Sequence, residues 1–159
     1  MQYNIFMDKK QIYEILCKQI QALLETETDV VANMANVSAA LFNELADLNW
    51  AGFYILKDGE LVLGPFQGKP ACVRIALGRG VCGTCAQSKK TQLVKNVHEF
   101  AGHIACDAAS NSEIVIPIFN KDRVWGVLDI DSPLLARFDE TDKIYLEKIA
   151  RLFEAKSAL

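Results

Sequence analysis

Apolar residues recur at helical spacing in three stretches of the chain. The first stretch spans residues 8–25 and the second spans residues 29–46, where Asp29 is placed to cap the second helix. The third stretch spans residues 139–155. The pattern therefore predicts two helices within residues 8–47 and a closing helix over residues 139–155.

Between these helices, shorter stretches rich in β-branched and aromatic residues predict strands. Residues 50–56 and 61–63 flank an Asp-Gly turn, and residues 113–119 and 124–130 flank a second turn. Two hairpins between helices are typical of an α+β domain with an antiparallel sheet, here over residues 49–132. Residues 64–110 show no clear period and are predicted to be a loop-rich segment with a functional role.

Side chains of a strand alternate between its two faces, and this rule sorts the first predicted strand. Trp50, Gly52 and Tyr54 share one face, whereas Ala51 and Phe53 share the other. The second set suits packing against helices. The first set places a glycine between two large aromatic residues, which predicts open space between their rings.

The last predicted strand carries carboxylates on one face. Asp129 and Asp131 lie two residues apart, roughly 7 Å along a strand, and Glu113 begins the neighbouring strand. These carboxylates either mark a solvated strand end or line an enclosed site. Trp125 and Val127 are predicted on the same face, which favours the enclosed site, where repulsion between carboxylates raises the pKa of at least one of them.

Length and composition restrict the function classes. The 159 residues, 51% of them hydrophobic, are enough for one domain with its own core. A formal net charge of −3 argues against nucleic acid or an anionic membrane as the main partner. The sequence shows no targeting signal and no membrane-spanning run, which predicts a cytoplasmic protein. In that compartment the five cysteines are predicted to be thiols, metal ligands or catalytic groups.

The cysteines leave three interpretations open. Cys82 and Cys85 form a C-x-x-C pair, and His103 with Cys106 completes a spacing suited to tetrahedral zinc. A sensor domain for a small ligand and thiol chemistry are the alternatives. A thioredoxin-type dithiol is disfavoured, because that motif begins a helix after a strand in a βαβ unit and no such pattern is visible. Cys17 lies in the first helix and is predicted to be an inert core residue.

Four segments carry a resemblance to a known family: NWAGFY, GPFQGKPACVRIALGRGVCG, GHIACDAASNSEIVIPI and GVLDIDS. Together they closely resemble the free methionine-(R)-sulfoxide reductases, enzymes built on a GAF domain. The resemblance implies an α+β, GAF-like single domain over residues 1–159. Its central antiparallel sheet would carry the N- and C-terminal helices on one face and a loop-rich ligand pocket on the other.

The resemblance also implies a reaction. Cys106 would attack the sulfur of free methionine-(R)-sulfoxide and become a sulfenic acid, and Cys72 would condense with it to form a disulfide. Cys82 resembles an auxiliary thiol that takes part in resolution or recycling. Thioredoxin would reduce the disulfide, with no bound cofactor and no metal. A homodimer is suggested by analogy alone.

The same resemblance assigns the substrate pocket. Glu113, Asp129 and Asp131 resemble the carboxylate cluster that binds the substrate, and Trp50 and Tyr54 resemble the aromatic residues near its methyl group. General acid assistance by such a carboxyl is worth about 10² to 10⁴ in rate.

Two residues depart from the family pattern. Ala101 replaces a usual proline before the segment GHIACD, and Cys85 is an extra thiol without a family role. His103 is expected to orient the Cys106 loop rather than to bind a metal.

Overall fold

The computed structural model describes residues 7–102 and 108–159 of the chain. Its helices are α1 (Lys9–Leu24), α2 (Val30–Glu44), α3 (Gly80–Ser88) and α4 (Glu140–Lys156), with a short 3₁₀ helix at Val97–Glu99. Its strands are β1 (Trp50–Lys57), β2 (Glu60–Gly68), β3 (Arg74–Ala76), β4 (Gln92–Val94), β5 (Ser112–Asn120) and β6 (Arg123–Ser132). Among the described residues, no helix is both long enough and apolar enough to cross a membrane.

The strands form one antiparallel sheet in the order β3-β2-β1-β6-β5-β4. Helices α1, α2 and α4 cover one face of this sheet and enclose the larger hydrophobic core with residues such as Phe53, Ile116 and Leu128. A second, smaller apolar cluster lies on the opposite face, where α3 packs against β5 and β6. The predicted architecture, with helices on one face and a pocket on the other, is confirmed.

Local capping explains where the main helices begin. The Asp8 side chain accepts a hydrogen bond from the Gln11 amide, and Asp29 accepts one from the Ala32 amide. Asp139 caps α4 in the same way. These bonds satisfy amide groups that have no partner inside the helix. The predicted cap at Asp29 is therefore confirmed.

A buried polar network joins the first helix to the last. Asp142 is fully buried and accepts hydrogen bonds from the Tyr13 hydroxyl at 2.8 Å and the Lys9 ammonium at 2.7 Å. The Arg137 guanidinium donates a further hydrogen bond to the Asp142 carboxylate, at 3.2 Å. Because a buried charge is stable only when it is paired, this network fixes α1 against the start of α4.

The prediction that residues 64–110 are irregular was wrong for much of that segment. Strand β2 continues to Gly68, and β3, α3 and β4 follow within the same stretch. The sequence pattern did not predict this helix, because GVCGTCAQS is short and consists mostly of small residues, and its few polar residues do not set up a clear amphipathic period. Its close packing needs glycine, since a Cβ on Gly83 would lie 2.3 Å from the Ala76 carbonyl oxygen.

The predicted position of Trp125 was also wrong. The β5–β6 register shifts between Ile118 and Phe119, which pair with Gly126 and Val124 respectively. Trp125 is therefore the extra residue of a bulge, and a bulge reverses the alternation of side chains. The ring packs against the helix-face core, with its centroid 6.1 Å from that of Phe153.

Candidate active site

The face of the sheet opposite the three long helices carries an aromatic cluster. Trp50 and Tyr54 lie on this face as predicted, with ring centroids 5.8 Å apart. The Trp50 indole N–H donates to the Lys69 carbonyl at 3.1 Å, and the Tyr54 hydroxyl donates to the Cys72 carbonyl at 2.9 Å. These bonds tie both rings to the segment between β2 and β3 and fix their orientation.

Phe66 also belongs to this cluster, although the sequence pattern did not predict it. Its ring stacks on Trp50 at a centroid distance of 5.1 Å, and Phe66 is the cross-strand partner of Gly52. A Cβ on Gly52 would lie only 2.3 Å from the Phe66 Cβ. The space predicted between Trp50 and Tyr54 is therefore filled in part by Phe66. A glycine on a crowded aromatic strand is the sequence signal that could have indicated a close neighbour.

The carboxylates meet beside these rings, on β6, which is next to β1, and on β5, which follows β6 in the sheet. Glu113 is the cross-strand partner of Asp131, and Asp129 lies two pairs further along β6, on the same face. Glu113 and Asp129 are each only 6% exposed, whereas Asp131 is half-buried. Glu113 and Asp129 therefore line an enclosed site and do not mark a solvated strand end.

Cys82 of α3 completes the buried group. Its Sγ lies 3.9 Å from Glu113 Oε1, and one atom from each of Cys82, Glu113 and Asp129 lies within 4.8 Å of the others. Asp129 Oδ1 is buried without a hydrogen-bond partner among the residues described. The group therefore offers a carboxylate oxygen that can still accept a hydrogen bond.

Burial controls the ionisation of this group. Burial, together with the charges of Asp129 and Asp131, raises the pKa of Glu113 well above its ordinary value of 4.5. Burial also raises the pKa of Asp129, to about 6, although hydrogen bonds from Cys82 and Glu113 oppose the rise. Because the two carboxyls repel each other when both are charged, their arrangement favours a state that shares one proton between them. A protonated donor and a carboxylate acceptor stand side by side.

The C-x-x-C pair lies in the first turns of α3, directly after β3. The pair thus begins a helix after a strand, but the surrounding strands are antiparallel, in agreement with the prediction that the βαβ setting of a thioredoxin-type dithiol is missing from this part of the described structure. Both thiols are buried, and burial followed by the charge of Asp129 raises the pKa of each. Cys85 Sγ lies 3.5 Å from the Val115 carbonyl oxygen. Both residues are therefore protonated thiols at neutral pH, unlike the low-pKa cysteines of dithiol redox motifs.

The remaining predicted cysteines fall in different places. Cys17 is a free thiol in the helix-face core, as predicted. Cys72 is half-buried on the pocket side and is disulfide-bonded. Cys106 and His103 lie outside the described residues. Within residues 7–102 and 108–159, the side chains grouped closely enough to hold a metal ion are Cys82, Glu113 and Asp129, and Cys85 does not belong to that group.

Comparison with known proteins agrees with this architecture. The GAF domain model matches residues 19–156. The chain therefore belongs to the GAF domain family.

Its relatives narrow the class further. Free methionine-R-sulfoxide reductase of Escherichia coli is 52% identical over 148 residues, covering 93% of this chain and 90% of the relative. The Saccharomyces cerevisiae enzyme of the same name is 44% identical over 158 residues, covering 94% and 88%. The Neisseria meningitidis enzyme, solved in complex with its substrate, superposes with a TM-score of 0.92 at 45% identity, covering 94% of this chain and 90% of that one. Within the GAF family, the chain belongs with these free methionine-R-sulfoxide reductases.

Proposed function

We propose that the protein reduces free L-methionine-(R)-sulfoxide to methionine, with cysteine thiols as the reductant and thioredoxin as the final electron donor. The observation that carries the proposal is the buried Glu113–Asp129 pair, which lies beside the aromatic cluster of Trp50, Tyr54 and Phe66. Few ligands suit a protonated carboxyl, a charged carboxylate and an apolar wall together. An amino acid with a sulfoxide side chain is one of them.

Each part of the substrate has a partner of matching chemistry. Asp129 and Asp131 accept hydrogen bonds from the substrate ammonium, in agreement with the buried acceptor at Asp129 Oδ1. The indole of Trp50 and the ring of Tyr54 pack against the S-methyl group. Glu113, whose raised pKa keeps it protonated, donates a hydrogen bond to the sulfoxide oxygen.

The chemical step transfers one oxygen atom. The Cys106 thiolate attacks the sulfoxide sulfur and forms a transient S–S bond, while Glu113 protonates the sulfoxide oxygen. The hydroxyl then moves from the substrate sulfur to Cys106 Sγ: the substrate S–O bond and the transient S–S bond break, and methionine leaves with the S–S electron pair. Cys106 is left as a sulfenic acid. The Cys72 thiol then displaces that hydroxyl as water, which gives a Cys72–Cys106 disulfide. Thioredoxin reduces the disulfide by thiol–disulfide exchange, becomes oxidised itself and restores both thiols, and no bound cofactor takes part.

Cys82 is assigned a role beside the carboxylates. Its thiol is buried, and its raised pKa disfavours the thiolate that disulfide resolution needs. The S–H group instead donates to the Glu113–Asp129 pair. Transfer of the disulfide to Cys82 remains the alternative form of the auxiliary role, and peptide mapping separates the two.

The test is NADPH consumption coupled through thioredoxin and its reductase. We expect turnover with free methionine-(R)-sulfoxide and little turnover with the S epimer or with a peptide-bound sulfoxide. Cys106→Ser should abolish turnover, whereas Cys17→Ser is the matched control, because Cys17 lies in the core on the other face of the sheet. Full activity of the Cys106 variant would show that the nucleophile is assigned wrongly. A protein that binds an amino acid or nucleotide but reduces nothing would instead be a GAF-type sensor.

Peptide mass mapping after one equivalent of substrate identifies the resolving thiol. We expect a Cys72–Cys106 disulfide. A Cys82–Cys106 link would keep the activity and assign resolution to Cys82.

The proposed location is the cytoplasm, because the cycle needs a reduced dithiol donor. The single-domain organisation over residues 1–159 and the homodimer also stay predictions. Light scattering of the purified protein tests the homodimer.

A further inference from the structure

Two apolar side chains are exposed close to Cys72 and at the two ends of β3. Val73, next to Cys72, is 64% exposed, and Leu77 is 37% exposed at the other end of β3. Between them Ile75 is buried and anchors the strand in the pocket-face cluster. Along a strand, the two exposed side chains are roughly 13 Å apart. They therefore flank β3, directly after Cys72, and belong to neither hydrophobic core.

Backbone pairing holds this surface in place. Strand β3 forms one edge of the sheet and pairs with β2 through Arg74, Ile75 and Ala76. The Val73 carbonyl accepts a further hydrogen bond from the Leu63 amide at 2.9 Å. An edge strand keeps one side available for another chain. The exposed apolar residues are thus presented on a fixed edge rather than on a loose loop.

Charge distinguishes the same region. Residues 61–98 contain six lysine and arginine residues and no aspartate or glutamate, although the whole chain has a net charge of −3. Lys69, Arg74 and Arg79 are exposed on either side of Cys72 and β3. Arg74 is paired with Glu60 at 3.0 Å, whereas Arg79 makes no capping bond at the start of α3. A partner with an acidic rim and an apolar centre would complement this surface.

We propose that β3 with its flanking residues Val73 and Leu77, together with Arg79, is the docking surface for the protein dithiol that reduces the Cys72 disulfide. The inference rests on the disulfide cycle of the proposed function. Thiol–disulfide exchange requires the attacking thiolate to reach a sulfur of the disulfide. Cys72 is only half-buried, and Val73 next to it, with Leu77 at the far end of β3, gives a protein reductant an apolar surface to cover during the attack.

The test measures reduction of the preformed disulfide and uses no sulfoxide, so its result does not depend on the substrate assignment. The full-length protein is oxidised with diamide, and its reduction by thioredoxin or by dithiothreitol is followed by rapid quench and thiol alkylation. We expect the Val73→Ser, Leu77→Ser double variant to lower the second-order rate with thioredoxin about fivefold to tenfold. Dithiothreitol is too small to need the surface, so its rate should stay unchanged. Val31→Ser, at a 57% exposed position on α2, is the matched control.

Charge reversal gives an independent variant. Arg79→Glu should slow reduction by thioredoxin several-fold at low ionic strength, and the difference from wild type should shrink as salt is added. Lys18→Glu, exposed on α1, should change neither rate. Unchanged thioredoxin rates in both surface variants would overturn the proposal. An equal loss with thioredoxin and dithiothreitol would overturn it too, because the residues would then act on the disulfide itself.

Discussion

Replacing Asp129 by Asn should make the protein more stable while it weakens substrate binding. Burial raises the pKa of this carboxyl from 3.8 to about 6. The buried Asp129 charge therefore destabilises the folded state at neutral pH. Because one pKa unit corresponds to 1.36 kcal/mol, the cost is about 3 kcal/mol. Asparagine has nearly the same shape and no charge. We expect the free energy of unfolding at pH 7.5 to rise by about 1 to 3 kcal/mol.

The raised pKa of Asp129 also determines how the free energy of unfolding changes with pH. The folded pKa of Asp129 lies above the unfolded value, so between about pH 4 and 6 the folded state binds more protons than the unfolded state. Stability of the wild type therefore falls as the pH rises through this window, and the penalty is complete above it. The gain from Asp129→Asn should consequently be large at pH 7.5 and nearly absent at pH 4.

The assay is urea unfolding at both pH values, together with kcat/KM for the free sulfoxide. We expect kcat/KM to fall about tenfold to a hundredfold, because a charged acceptor for the substrate ammonium is lost. Asp131→Asn is the control: this residue is more exposed, so removing its charge should change stability less. An Asp129→Asn variant that is no more stable than wild type at pH 7.5 would refute the reasoning.

Three further outcomes follow from the geometry. Gly52→Ala places a Cβ 2.3 Å from the Phe66 Cβ and should lower the free energy of unfolding by about 1 to 3 kcal/mol, measured in urea. Cys82→Ala removes a hydrogen bond that lowers the pKa of the buried aspartate, so the acid limb of the kcat/KM profile should move to higher pH; an unmoved limb would contradict the role. Asp142→Asn breaks the network between α1 and α4 and should cost about 3 kcal/mol without changing the pH profile, and a cost near zero would show that the network is solvated.

Sequence periodicity predicted the elements that bury one face and expose the other. The amphipathic helices and both hairpins show a strong period, and their caps are local, so their positions followed from neighbouring residues. Helix α3 has no such period, because it is buried over most of its surface between the sheet and the loop segments. Its small residues fit a tight space that exists only after the sheet has formed. Local patterns cannot specify that kind of helix.

The candidate site was predictable where strand alternation sufficed and not where it was interrupted. Asp129 and Asp131 share a face because side chains alternate along a strand. The hairpin of β5 and β6 then places Glu113 opposite Asp131. The bulge at Trp125 reversed the rule for one residue, and Gly126 directly after it is the sequence signal that could have marked it. Cys82 reaches the carboxylates through α3, a long-range contact that spacing within the C-x-x-C pair does not indicate.

The burial of Cys17, Cys82 and Cys85 has a consequence for how the protein withstands oxidants. Oxidation of cysteine to sulfenic and higher acids proceeds from an accessible thiolate. Each of these thiols is buried and has a raised pKa, so each stays protonated and shielded from peroxide. Three of the five cysteines therefore react slowly with oxidants. A protein whose proposed substrate is itself a product of oxidation thus shields most of its cysteine thiols from irreversible oxidation.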